Sequence, residues 1–151
     1  MDSEELRSLQ GPLKAGQKLG LPQVQGIARS LAQALALLHV KGFAHGSLQP
    51  SNVMSAAGQI KLADIGLGRL HLALVPASPY RAPEAKLDAA GDVYALGALV
   101  HHLLTGQPPQ PGAKAPALQA PFDQLVPRCL DSKPEARPKA QEIAEKLGAK
   151  A

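Results

Sequence analysis

The sequence predicts a mainly α-helical domain with one or two small β-hairpins. Two long segments repeat apolar residues at three- and four-residue spacing, which is the period of an amphipathic helix. Hydrophobic residues make up 45% of the chain but aromatic residues only 3%, so the core must be built from aliphatic side chains. At 151 residues the chain has the length of one compact domain, and we expect a single unit over residues 1–151.

The first long helix is predicted between Gly20 and Gly42. Pro22 is suited to the first turn of a helix, and Gly42 is suited to its end. The apolar positions in between share one face and are Val24, Ile27, Ala28, Leu31, Leu35 and Leu38. Ahead of this helix, residues 1–20 form an N-terminal segment in which Glu4–Leu9 is predicted as a short helix.

Small strands and a second long helix are predicted next. Val53–Met54 and Ile60–Leu62 flank a turn signal at Ala57–Gly58, which favours a hairpin. The second helix is predicted from about Asp92–Leu104, and Gly106 is expected to end it.

The last part of the chain is predicted as a proline-rich loop followed by two helices. Residues 106–121 contain five prolines, so we expect a loop inside the domain rather than a long helix. Phe122–Leu130 and Lys139–Leu147 are then predicted as two closing helices. These two helices alone would make a poor core, so the loop is not interpreted as a domain boundary.

The composition limits the classes of function. The net charge is +4, and residues 6–63 carry six basic and no acidic side chains, which we interpret as a solvated surface rather than a phosphate site. Two Tyr and two Phe give little surface for base stacking, so no nucleic-acid partner is expected. The acidic N-terminus and the short apolar runs predict neither a secretory signal nor a membrane span. Cys129 is the single cysteine, so we expect no disulfide and a cytoplasmic location.

The segment His45–Asn52 is the most informative motif. Its sequence HGSLQPSN resembles the protein-kinase catalytic loop, whose usual pattern is His-Arg-Asp-Leu-Lys-Pro-x-Asn. Other segments resemble, in the same order, motifs of the C-terminal lobe (C-lobe) of eukaryotic-type protein kinases; they are Leu31–His39, Asp64–Gly66, Tyr80–Glu84, Asp92–Gly97, Leu103–Pro109 and Pro134–Pro138. The resemblance covers nearly the whole chain, and it implies a kinase-like C-lobe without the N-terminal lobe (N-lobe).

The resemblance implies a structural role for four of the retained residues. Glu84 and Arg137 resemble the family's buried ion pair, which links the activation segment to the penultimate helices. Asp92 resembles the helix residue that anchors the backbone of the catalytic loop, and His45 resembles the residue that stacks against that assembly. We therefore expect all four to maintain the shape of the lobe.

The differences from the family pattern fall at the positions that carry out catalysis in the family. Ser47 stands at the position of the catalytic Asp, and a hydroxyl does not act as a carboxylate base at neutral pH. Gln49 stands at the position of the Lys. Asn52 and Asp64 keep two magnesium-binding positions, but two oxygens without a triphosphate make a weak site. The sequence therefore predicts a pseudokinase with no catalytic residue, no ATP binding, no cofactor and no metal, hence not an enzyme.

The face that an N-lobe would cover is predicted to bind a partner. The sequence begins near the helix that follows the hinge in the family, and it contains no Gly-rich phosphate loop or strand Lys. The apolar residues that this would uncover are Leu48, Val53, Met54, Ile60 and Ile65. We expect this face to bind a protein or a second copy, with a lid formed by residues 1–20 as the alternative.

Three hypotheses for the function follow. The first is a catalytically inactive kinase-like C-lobe that acts as a protein-binding, scaffolding or regulatory module. The alternative is half of a split kinase-like nucleotide-binding protein, completed by an N-lobe in trans. The third is a helical structural protein whose function no longer depends on its kinase ancestry.

Overall fold

Four helices and a small sheet make up the part of the chain that the structure describes. The computed structural model describes residues 7–8, 20–42, 53–56, 59–62, 88–106, 118 and 122–148. The helices are α1 (Leu21–Val40), α2 (Ala89–Thr105), α3 (Phe122–Cys129) and α4 (Ala140–Gly148), and a 3₁₀ turn spans Pro134–Ala136. The strands are β1 (Arg7–Ser8), β2 (Val53–Ala56) and β3 (Gln59–Leu62). The prediction of a mainly α-helical fold is therefore confirmed.

Helix α1 begins and ends where its sequence predicts. The amide of Val24 donates a 2.9 Å hydrogen bond to the carbonyl of Gly20, and Pro22 lies in the first turn, where it sacrifices no helical hydrogen bond. At the other end, the amide of Gly42 donates to the carbonyl of His39 at 3.0 Å. Gly42 has a φ of 84°, a conformation that a residue without a side chain adopts at little cost.

Helix α2 begins three residues earlier than predicted. The side chain of Asp88 caps it, because Oδ1 accepts a 2.8 Å hydrogen bond from the amide of Gly91. The first turn, Ala89–Gly91, has no apolar periodicity, so the hydrophobic pattern did not indicate it. Gly106 ends the helix in the left-handed conformation, as predicted, and its amide donates to the carbonyl of His102 at 2.8 Å.

The three strands form an antiparallel sheet in the order β1–β2–β3, with Val53 opposite Leu62 and Ser55 opposite Ile60. The short helix predicted over Glu4–Leu9 is wrong, because Arg7–Ser8 pairs with β2. An isolated helix of this length is unstable in water, whereas the edge of β2 offers backbone hydrogen bonds to the chain.

Some predicted segments fall where the structure gives no description. The turn at Ala57–Gly58 and the proline-rich segment 106–121, apart from Gly106 and Leu118, lie outside the described residues. The single-domain organisation over residues 1–151 stays a prediction.

The core lies between the helices. Helix α1 packs against α2 and α4, and α2 also packs against α3. The amide nitrogen Nε2 of Gln25 donates to the carbonyl of Leu147 at 3.3 Å, so the beginning of α1 lies beside the end of α4. The largest fully buried side chains are Val24, Leu31, Leu35, Val93, Leu96, Leu99, Leu103 and Phe122. Each contributes about 1.5–3 kcal/mol through burial.

Helices α2 and α3 approach closely at Gly97. A Cβ atom added to Gly97 would overlap the Cβ of Cys129, because the two atoms would be closer than their van der Waals radii allow. The cysteine side chain is itself buried, with 3% of its surface exposed. Glycine is therefore needed at position 97 because the neighbouring helix occupies the space of a side chain.

We predict that Gly97→Ala destabilises the fold by about 1–3 kcal/mol, because the added methyl group forces α2 and α3 apart. Gly26→Ala is the matched control, since Gly26 is an exposed position in α1 where an added Cβ would have no atom within 4 Å. This control should stabilise the helix by about 1 kcal/mol. Urea denaturation followed by circular dichroism measures both changes. Equal stability of the Gly97→Ala variant and the unmodified chain would contradict the packing argument.

Candidate functional site

A buried carboxylate joins the end of α1 to the beginning of α2. Nε2 of His39 lies 2.9 Å from Oδ2 of Asp92, and only 3% of the Asp92 surface is exposed. Since an ionised carboxylate only accepts hydrogen bonds, Nε2 of His39 is the donor. Asp92 also lies in the first turn of α2, where the helix dipole favours a negative charge.

Arg137 forms a second connection to the beginning of α2. Its Nη1 donates to the carbonyl of Ala90 at 2.9 Å, and its Nε donates to the carbonyl of Asp131 at 2.9 Å. The guanidinium carbon lies 5.0 Å from the centroid of the Tyr94 ring, within the range of a cation–π contact. The side chain is 7% exposed, so these contacts are largely shielded from water.

The two connections border the same cavity. Its volume is about 500 Å³, and residues from the end of α1, the beginning of α2 and the segment 134–141 line it. His39 and Arg137 both contribute to the wall, together with apolar side chains such as Val93 and Pro138. The role of His39 was not predicted from the sequence, because Asp92 lies 53 positions further along the chain and no local pattern indicates such a contact.

Most of the predicted site residues lie outside the described residues. These are His45, Ser47, Leu48, Gln49, Asn52, Asp64, Ile65 and Glu84. Their roles stay predictions, including the pairing of Glu84 with Arg137.

The pairing register of β2 and β3 places the residues predicted to bind a partner on two different faces of the strand pair. In an antiparallel pair, directly opposite residues share a face and successive residues alternate between faces. Ile60 lies opposite Ser55, which is two residues from Val53, so Val53 and Ile60 fall on one face of the strand pair. Met54 lies opposite Lys61 and falls on the other face.

The remaining titratable groups do not form a metal or nucleophile site in the part of the chain that the structure describes. That part contains no group of three or more His, Cys, Asp or Glu side chains that could hold a metal ion. Burial raises the pKa of the Cys129 thiol to about 12, so the thiol stays protonated at neutral pH. Burial, and then the neighbouring His101, lower the pKa of His102. None of the described helices is long and apolar enough to cross a membrane.

We predict that His39 and Asp92 are energetically coupled. Asp92→Ala should lower the free energy of unfolding by about 1–3 kcal/mol, since a buried hydrogen bond is lost. A double-mutant cycle with His39→Ala should give a coupling energy of about 0.5–3 kcal/mol. The exposed pair Arg128–Glu142, 3.1 Å apart, is the control and should give about 0–1 kcal/mol. Coupling no larger than that of the control would show that the contact does not hold the helices together.

Comparisons with known proteins give relatives along most of the chain. It is 29% identical to the serine/threonine-protein kinase Pkn1 of Myxococcus xanthus over 83% of the chain. It is 34% identical to cyclin-dependent kinase 20 of Rattus norvegicus over 73% of the chain, and 30% identical to the serine/threonine-protein kinase PknB of Mycobacterium tuberculosis over 70%. The matched region spans 24%, 34% and 22% of these relatives, so the chain corresponds to a fraction of their length.

These relatives correct one prediction. The prediction that the chain is not an enzyme is contradicted, because the relatives are named as kinases and therefore point to a family of enzymes. The resemblance to the kinase family is confirmed, since the family model described as protein kinase domain matches residues 1–147. The chain belongs to the protein kinase family and represents a fragment of the kinase domain.

Proposed function

We propose that the chain is the helical lobe of a protein kinase domain and that it works while docked against a nucleotide-binding lobe, on the same chain or on another. The observation that carries this proposal is the contact of His39 with Asp92. It fixes the end of α1 against α2, and the chain continues from α1 within a few residues into the motif His45–Asn52. The contact therefore fixes the end of the helix that precedes this motif in the sequence.

The donor set of this lobe suits a magnesium nucleotide. The side chains of Asn52 and Asp64 carry an amide oxygen and a carboxylate, which are hard oxygen donors of the kind that magnesium prefers. These two residues would hold the metal, which when bound supplies charge neutralisation at the phosphates. A nucleotide-binding lobe would supply the rest of the nucleotide site.

The contact with the other lobe is proposed to involve Met54. Strand β3 lies near α1, and we take one face of the strand pair to be the one directed at the helix. In β3, the apolar residues Ile60 and Leu62 alternate with the polar residues Gln59 and Lys61. Such alternation favours the face with Ile60 and Leu62 as the one that is directed at α1. Met54 belongs to the opposite face by register and is therefore the candidate for the contact.

The proposal is tested by supplying a nucleotide-binding lobe as a separate chain. The N-lobe of the Myxococcus xanthus relative, expressed as a separate chain, should bind this protein in isothermal titration calorimetry. Met54→Asp should weaken the affinity by about tenfold or more, because it places a charge in an apolar contact. Leu37→Asp is the matched control, since Leu37 is an exposed residue of α1 and should leave the affinity unchanged. Absence of binding, or equal binding by the Met54→Asp variant, would contradict the proposal.

A second prediction concerns the chemistry of the assembled lobes. Ser47→Asp restores a carboxylate at the position that resembles the catalytic base, and general-base catalysis contributes about 10²–10⁴ in rate. We therefore expect phosphoryl transfer from ATP to a protein substrate to rise by about this factor. Ser51→Asp adds the same charge four residues away and should have no such effect. The measurement is incorporation of labelled phosphate, and equal rates for the two variants would contradict the role of position 47.

A protein-binding, scaffolding or regulatory module is the second candidate function. It is favoured by Ser47 and Gln49, which replace the Asp and Lys of the family pattern. The same face around Met54 would then bind a protein other than a nucleotide-binding lobe, or a second copy of the chain. Failure of the N-lobe titration, together with no effect of Ser47→Asp, favours this candidate over the first.

A further inference from the structure

Helices α1 and α4 form a surface groove. The groove has a volume of about 720 Å³ and is lined by Arg29, Gln33, Ala36, Leu37, Val40, Gln141, Ala144 and Glu145. Its floor includes Ala36 and Ala144, which are buried. Leu37 and Val40 expose 67% and 83% of their surface, and they are the exposed large hydrophobic residues of the described part of the chain. We call this surface the α1–α4 groove.

The charges of the α1–α4 groove are placed on opposite walls at one end. The beginning of α1 lies beside the end of α4, as the hydrogen bond from Gln25 to the carbonyl of Leu147 shows. Arg29 is one turn further along α1, and Glu145 is about half a turn before Leu147 on α4. The two side chains therefore lie near the same end of the groove, whereas Leu37 and Val40 lie towards the other end.

Neither charged side chain is used in an ion pair within the described residues. The described ion pairs are His39–Asp92 and Arg128–Glu142. Glu145 accepts a 3.2 Å hydrogen bond from the side chain of Gln141, which leaves its carboxylate further capacity to accept. Arg29 and Glu145 are both exposed, so both are available for an intermolecular contact.

We propose that the α1–α4 groove is the interface of a symmetric homodimer. The two-fold axis lies in the plane of the interface and runs parallel to the groove. Rotation about this axis places the α1 wall of one copy opposite the α4 wall of the other, and each end of the groove opposite the same end of the partner's groove. Arg29 then lies opposite the partner's Glu145, and Glu145 lies opposite the partner's Arg29. At the other end, Leu37 and Val40 of each copy lie opposite the partner's α4 wall on the side of Gln141. The charge pattern is thus complementary to itself, which a two-fold interface requires.

This interface is independent of the proposed lobe contact. The lobe contact involves the strand face around Met54, whereas the dimer contact involves the exposed side of α1 and α4. Leu37→Asp should therefore disrupt the dimer and leave binding of the N-lobe unchanged, and Met54→Asp should do the reverse. Failure of either proposal can be recognised without reference to the other.

Charge exchange tests the dimer. Sedimentation velocity of the full chain from about 1 to 200 μM should show a reversible monomer–dimer equilibrium. Arg29→Glu and Glu145→Arg should each raise the dissociation constant by about tenfold or more, because symmetry converts two attractive contacts into two repulsive ones. The double variant with both substitutions restores opposite charges and should return the dissociation constant to within about threefold of the original.

A matched control and a folding check complete the experiment. Lys146 is an exposed basic residue of α4 that does not line the groove, so Lys146→Glu should leave the dimer unchanged. Circular dichroism should show the same helix content for all variants. A monomer at every concentration would overturn the proposal. A dimer that resists Arg29→Glu, or one that the double exchange fails to restore, would also overturn it.

Discussion

The buried carboxylate of Asp92 is the interaction on which the arrangement of the helices depends. It must find a hydrogen-bond donor, because an ionised group without a partner in the interior costs several kcal/mol. His39 supplies one such donor, and it does so only if the last turn of α1 lies against the first turn of α2. The requirement therefore restricts the position of both helices more sharply than apolar contact does, since apolar contact has no direction.

Helix α4 is joined to this pair in a closed circuit. Arg137 connects the segment before α4 to the beginning of α2 through the carbonyl of Ala90. The end of α4 returns to the beginning of α1 through Gln25 and Leu147. Each hydrogen bond is modest alone, but together they connect α1 to α2, α2 to the segment before α4, and α4 to α1. Separating any one of these connections strains the other two.

Elements whose position depends on a local sequence pattern could be predicted from the sequence. The prediction failed where a feature depends on a contact that leaves no apolar pattern or that joins residues far apart in the chain. Helix α1 was predicted because its apolar residues repeat at helical spacing, and Gly106 was predicted as the end of α2 because only glycine adopts its conformation easily. The beginning of α2 was placed too late, because the capping side chain of Asp88 acts without apolar periodicity. The role of His39 was missed for another reason, since its partner lies 53 residues away. The motif order indicated the kinase family correctly, because it depends on residue identity and spacing alone.

The close approach at Gly97 has a consequence for how sequences of this kind can vary. The Cβ of Cys129 occupies the space in which a side chain at position 97 would begin. An alanine at position 97 is compatible with the same helix spacing only if position 129 loses its own Cβ and becomes glycine. The two positions are therefore expected to covary among relatives that keep this spacing, although 31 residues along the chain separate them.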